Sequence, residues 1–156
     1  MLPEAPAALW SGPGKPALQS GDRLRPSPTT RFAGPEHHLD FTAALTTLRR
    51  EQHAARSGHR QITVLHDEHL RLVLFAFEQG GRLREHRAPG VVVIQTLRGS
   101  IRVRTASTTY DLSTGMAVVL AADVLHDVEA LDSADMLLTV ALPTPSGEQG
   151  AERYRA

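Results

Sequence analysis

The chain has 156 residues, which fits one globular domain of ordinary size plus an additional segment. It contains 17 Lys and Arg against 17 Asp and Glu, so its formal net charge is zero and no basic surface for nucleic acid or for an anionic membrane is expected. Cysteine is absent, which excludes disulfides and thiolate metal sites.

Residues 1–36 hold seven of the ten prolines and are predicted to form an irregular arm, because proline removes backbone donors and fixes φ. Leu9, Trp10 and Phe32 would be the anchors if this arm packed on the body of the protein or on a second subunit. The start of the chain lacks the features of a signal peptide, and no stretch approaches the ~20 apolar residues that span a bilayer. A cytoplasmic protein without a membrane partner is the expectation.

One short helix is predicted over residues 40–56. Asp40 can accept hydrogen bonds from the free N–H groups of the first turn, and Gly58 is suited to end the helix. The apolar stripe at helical spacing consists of Phe41, Leu45, Leu48 and Ala55. A helix of this length needs a surface to pack on.

Residues 60–142 predict seven or eight short strands. LRLVLFAF at 70–77 is apolar on both faces, VVVIQTL at 91–97 is a continuous strand-forming run, and residues 101–104 alternate apolar with arginine. Turn residues separate these runs; they are Gly80-Gly81, Pro89-Gly90, Arg98-Gly99-Ser100 and Ser113-Thr114-Gly115. Regularly spaced strands without intervening helices favour an all-β sandwich or barrel. The domain is predicted to span 37–143 and to be followed by a polar tail at 144–156.

Two histidines stand beside strand-forming runs, with 39 residues between them: His86 and His126. Strand alternation places His126 on one face with Val124 and Val128. A single histidine on an apolar face is more often a satisfied core residue than a ligand, so neither histidine alone indicates a site.

The segments around these histidines resemble the two paired motifs of the cupin superfamily. In the first motif Gly80, His86 and Gly99 stand at matching positions, whereas the second histidine and the glutamate are replaced by Ala88 and Val92.

In the second motif Gly115 and His126 match, and the proline, inner glycine and asparagine positions hold Ala121, Asp123 and Ala130. The chain also resembles the small single-domain cupins of the RmlC-like, conserved-barrel type. The resemblance implies an antiparallel cupin β-barrel, a jelly-roll-like double-stranded β-helix, here preceded by the short helix. It also implies, together with the need to cover strand edges, a homodimer.

A metal in such a barrel would be held by His86 and His126, the two ligand positions that the resemblance transfers. A third ligand is not identified; the candidates are Glu85, Gln95, His66 and His69. Strand alternation places Gln95 on the face opposite to Val92, so Gln95 would need a bulge in the strand to point into the barrel interior. The cofactor stays unknown; the metals left open are divalent transition metals (Zn, Ni, Cu, Fe or Mn), since two imidazoles favour these over Mg or Ca.

Two functions of different class remain open, and the sequence does not decide whether the protein is an enzyme. The first is a small-molecule-binding protein whose barrel interior is the pocket and whose reaction, if any, is not assignable. The second is a metal-dependent cupin enzyme of dioxygenase or isomerase type with His86 and His126 as metal ligands. Residues predicted to contact the ligand are His86, His126, Gln95, Arg84, Val92 and Ile94, with Val124 and Val128 completing the lining.

Overall fold

The computed structural model describes residues 34–52 and 55–143. The predicted arm, with Leu9, Trp10 and Phe32, and the predicted tail at 144–156 lie outside this range except for residues 34–36. No helix in the described residues combines the length and the apolar character that a membrane crossing requires.

One helix and nine strands follow one another within the described residues. The helix is α1 (Phe41–Arg50). The strands are β1 (His59–His66), β2 (Leu70–Phe77), β3 (Arg82–His86), β4 (Val91–Arg98), β5 (Ser100–Thr105), β6 (Thr109–Ser113), β7 (Ala117–Leu120), β8 (His126–Ala130) and β9 (Ala134–Ala141). The predicted count of seven or eight strands was too low, because runs as short as β6 and β7 show too few alternations to be recognised.

The strands form two antiparallel sheets that face each other. The larger sheet has the order β1-β2-β9-β4-β7, and the smaller has the order β3-β8-β5-β6. A buried apolar core lies between them and includes Phe75 and Phe77 from the larger sheet and Val103 and Val128 from the smaller. The predicted all-β architecture of short strands is therefore confirmed.

The helix covers the outer face of the larger sheet near β1 and β2. Leu45 and Leu48 are buried against Ile62 and Leu74 in a second apolar cluster. Strand β2 lies between the helix and the inter-sheet core, which explains why the segment 70–77 carries apolar side chains on both faces. The Asp40 carboxylate accepts from the Ala43 N–H at 2.9 Å, as the predicted cap requires.

The predicted helix of 40–56 was too long. It ends at Arg50, where Glu51 takes extended backbone angles and is itself buried. Gly58 does not end the helix but sits in the left-handed region in the turn that precedes β1. Local helix propensity at Glu51 and Gln52 gives way because the chain has to return to the sheet at His59.

At one end of the barrel, Gly90 brings the β3–β4 connection against β9. A Cβ atom at this position would stand 1.7 Å from the Ala141 carbonyl oxygen, so a side chain does not fit. This contact fixes the path of the chain between His86 and Val91.

Replacing Leu48 with alanine is expected to lower the free energy of unfolding by about 2–5 kcal/mol, because a fully buried side chain between helix and sheet leaves a cavity. Urea denaturation followed by circular dichroism would measure it. Thr46→Ala is the control on the exposed side of the helix and should change stability far less. Equal losses in the two variants would contradict the packing described for α1.

Candidate functional site

The candidate site is built from two histidines on neighbouring strands. His86, at the end of β3, is the cross-strand partner of His126, at the start of β8. Their ring centroids lie 4.4 Å apart with the planes tilted by 57°. His126 is 2% exposed and His86 is half-buried. The structure therefore brings together the two residues that the sequence singled out.

Because β3 contains a bulge, His86 lies on the same inner face of the smaller sheet as His126. Leu83 pairs with Val128, and the next paired residues are His86 and His126, so β3 spans three residues where β8 spans two. Strict alternation from the core-packed Leu83 would have turned His86 outward. The extra residue at Arg84–Glu85 reverses this, and nothing in the sequence marks it.

Both imidazoles are fixed through the same ring nitrogen. His86 Nδ1 donates to the Arg84 carbonyl oxygen at 2.7 Å, and His126 Nδ1 donates to the Val124 carbonyl oxygen at 2.8 Å. A carbonyl oxygen carries no hydrogen, so Nδ1 is the protonated nitrogen in both rings and, in the neutral ring, Nε2 offers a lone pair.

The Nε2 atom of His126 is buried and has no hydrogen-bond partner within residues 34–52 and 55–143. Burial lowers the pKa of His126 below the ordinary value of 6.5, and the neighbouring His86 acts in the same direction; the Val124 carbonyl and Asp127 oppose them. His126 is therefore a neutral acceptor near pH 7. A buried acceptor without a donor costs free energy, which a bound donor or a metal ion would recover.

The inner faces of the strands around the two rings are apolar apart from Thr105, the cross-strand partner of His126 on β5. Val92 and Ile94 are 2% and 0% exposed and belong to the core between the sheets, against which Ala88 and Val124 also pack. Ala88 and Val92 occupy the positions of the missing cupin histidine and glutamate. Both replacements are apolar, so these two positions supply neither an imidazole nor a carboxylate.

The other predicted site residues lie elsewhere. Gln95 pairs with Leu137, which belongs to the helix-side cluster, so it lies on the face of β4 opposite to Val92 and Ile94. The structure does not bring it to the two histidines. Arg84 is exposed, and the contact it makes with the site is through its backbone carbonyl.

The candidate third metal ligands do not complete a metal site with the two histidines in the described residues. Glu85 is exposed within the bulge, while His69 is exposed in the β1–β2 turn, 3.9 Å from Glu68. His66, at the end of β1, accepts from Arg71. Among the residues that the structure describes, no group of three or more His, Cys, Asp or Glu side chains is arranged to hold a metal ion.

Two nearby features were not found from the sequence. Thr105 is the partner of His126 on the side of β5, so its side chain lies on the inner face beside the histidine pair. Asp123 has φ +64°, in the left-handed region, and its N–H donates to the Ala88 carbonyl oxygen at 2.9 Å. It stands where the second cupin motif has glycine, so the backbone keeps a conformation that glycine adopts most readily.

The depressed pKa of His126 predicts a loss of stability in mild acid. The unfolded chain binds a proton at His126 near pH 6.5, whereas the folded chain binds it only at lower pH. The neutral His126 ring therefore leaves the free energy of unfolding at its full value above pH 6.5. As the pH falls below 6.5, the unfolded chain takes up the proton first, and the free energy of unfolding decreases. Urea unfolding between pH 7.5 and pH 5 would measure the slope, and the ring signal of His126 in NMR would give its pKa directly.

His126→Gln should show a shallower dependence of the unfolding free energy on pH over that range, because glutamine does not titrate. A His126 ring that titrates at or above pH 6.5 would contradict the burial described here.

Comparisons with known proteins bear on the family and the fold. A family model described as the AraC-like ligand binding domain matches residues 70–146. The search of curated proteins found no significant match.

Solved structures give the fold. A conserved protein of unknown function from Streptococcus pyogenes aligns with a TM-score of 0.56 at 22% identity, over 72% of this chain and 93% of that one. A cupin superfamily protein from Desulfitobacterium hafniense aligns with a TM-score of 0.56 at 16% identity, over 70% and 94%. An RmlC-like cupin from Shewanella frigidimarina aligns with a TM-score of 0.53 at 16% identity, over 56% and 79%.

Proposed function

We propose that this chain, which carries a small cupin domain, binds a small molecule at the end of the barrel where His86 and His126 meet. The observation that supports the proposal most directly is the buried Nε2 of His126, an acceptor that has no donor among the described residues and lies on a largely apolar inner face. The match to a ligand-binding family model agrees with it.

The geometry defines what kind of group the two rings would hold. Each Nδ1 is engaged with a carbonyl oxygen, so in the neutral rings the Nε2 atoms can only accept. The complementary ligand group is a hydroxyl or an amine, which can donate to one or both rings. Val92, Val128 and Ala88 would contact the apolar part of the molecule.

Binding without turnover is favoured because the described site has no acid–base pair. His126 is neutral, and the charged residues near His86, namely Arg84, Glu85 and Arg87, are exposed. General acid–base catalysis requires a group within hydrogen-bond reach of the reacting atom.

Titration of the protein labelled with ¹³C-histidine tests this proposal. Monosaccharides, polyols, amino acids and short hydroxy acids would be added one class at a time, and the ring signals of all histidines followed by NMR. We expect at least one class to shift the His86 and His126 signals together and saturably, because both rings face the same space.

His126→Phe keeps an apolar ring and removes the acceptor, so it should abolish that response; His69→Gln, in the exposed β1–β2 turn, is the matched control. Saturable shifts confined to histidines other than His86 and His126 would contradict the proposed site.

A metal-dependent enzyme is the second candidate, and one observation favours it. An imidazole whose Nδ1 donates to a backbone carbonyl presents Nε2 in the form that metal ligands use. The donor set does not fit, however, because a catalytic metal centre usually has three protein ligands and the described residues supply two.

Metal analysis separates the two candidates. Protein purified without a polyhistidine tag should carry clearly substoichiometric metal by mass spectrometry, and the amount should be the same in His86→Ala and His126→Ala. Near-stoichiometric metal that is lost in both variants would favour the metal-dependent enzyme over the small-molecule-binding protein.

The predicted homodimer stays a prediction, as do the cytoplasmic location and the absence of nucleic-acid and membrane partners. Val119, on the edge strand β7, is 63% exposed, and an apolar side chain at an open sheet edge is consistent with pairing between two copies.

A further inference from the structure

Arg71 lies on the inner face of the larger sheet, although it is a charged residue. It is the cross-strand partner of Val140, which in turn pairs with Val92. Directly opposed residues of an antiparallel pair share a face. Both valines belong to the core between the sheets, so the Arg71 side chain starts on the same inner side.

The row of cross-strand partners Arg71, Val140 and Val92 lies at the same end of the barrel as the histidine pair. The connection 87–90 joins His86 to β4 just before Val92, and the connection 121–125 joins β7 to His126. The Asp123 N–H binds the Ala88 carbonyl oxygen across these two connections. These connections of four and five residues pass from one sheet to the other, but they are too short to run from one end of the barrel to the other. The residues Arg71, Val140 and Val92 on the larger sheet and the histidine pair on the smaller sheet therefore lie at the same end of the inter-sheet space.

The guanidinium of Arg71 is held in place but is incompletely satisfied. Its Nη2 donates to His66 Nε2 at 3.2 Å, which anchors one side of the group. Its Nε is buried and has no hydrogen-bond partner within the described residues. A buried donor of a charged group is costly to leave unpaired.

The acidic side chains of the adjoining turn are already engaged. Asp67 Oδ1 accepts from the backbone N–H groups of His69 and Leu70 at 2.8 and 2.7 Å, and Glu68 lies 3.9 Å from His69. The turn therefore does not supply the missing acceptor for Arg71 Nε.

We propose that Arg71 binds the carboxylate of the ligand, so that the ligand class is a short hydroxy- or amino-carboxylic acid with an apolar middle. Its hydroxyl or amine would donate to the histidine pair, and its carboxylate would accept from the guanidinium on the facing sheet. This inference rests on the proposed function and names the ligand class for that same site. A single guanidinium matches the one charge of a carboxylate better than the two charges of a phosphate ester.

Matched pairs of charged and neutral probes test the assignment. The probes are 3-hydroxypropionate, 4-hydroxybutyrate and 5-hydroxyvalerate, each compared with its amide, and methyl phosphate as the alternative anion. Binding would be followed by the ring signals of His86 and His126 and by the ¹⁵Nε signal of Arg71. At least one carboxylate should bind about tenfold or more tightly than its amide.

The variants separate a binding role from a structural one. Arg71→Gln should abolish the preference for carboxylate over amide, while Arg71→Lys should retain part of it because the charge remains. Arg102→Gln is the matched control: Arg102 pairs with Asp111 on the outer face of the smaller sheet, so the preference should be unchanged. Thermal unfolding of each variant would show that it is folded.

Three results would overturn the inference while leaving the proposed function intact: equal binding of carboxylate and amide, a preference that survives Arg71→Gln, or binding of methyl phosphate in place of the carboxylates. The absence of any response at His86 and His126 to these probes and to the four compound classes of the earlier titration would overturn both proposals.

Discussion

One extra residue in β3 determines the character of the site. Because side chains alternate along a strand, the bulge at Arg84–Glu85 changes the side on which everything after it lies. It turns His86 inward beside His126 and brings the Arg84 carbonyl oxygen to His86 Nδ1. The same local distortion therefore supplies the second imidazole, its orientation and its tautomer. Without it, His126 would stand alone among apolar side chains.

The larger features of the fold were predictable because they depend on local pattern. Residues 72–77 are apolar on both faces since β2 lies between the helix and the inter-sheet core, and His126 is buried on the face that alternation gives it. The helix end, the bulge and the inner position of Arg71 were not predictable. The last two depend on pairing between distant strands, because Arg71 is placed by Val140 and His86 by His126, whereas the helix end depends on where the chain returns to the sheet. A charged residue near a strand end looks solvent-exposed until its partner is known.

Ala88 and Val92 stand where the cupin motif that this segment resembles has a histidine and a glutamate, and this difference changes the electrostatics more than the shape. Ala88 and Val92 keep the backbone path, with Ala88 accepting from Asp123, but they remove an imidazole and a carboxylate from the wall. A carboxylate beside the rings would have favoured a charged imidazole or a cation. An apolar wall instead lowers the pKa of His126 and leaves a neutral acceptor. Such a site is better suited to a hydrogen-bond donor than to a divalent ion.

His126 and Arg71 need hydrogen-bond partners of opposite kind, and this limits which molecules can bind between them. His126 Nε2 needs a donor, while Arg71 Nε needs an acceptor, and in the described residues neither has a partner. Water could satisfy each in turn, but it would leave the guanidinium charge without a counter-ion. A molecule with a hydroxyl or amine at one end and a carboxylate at the other satisfies both, and its apolar middle matches Val92, Val128 and Val140. The combination, rather than either residue alone, distinguishes a hydroxy acid from a sugar or a metal ion.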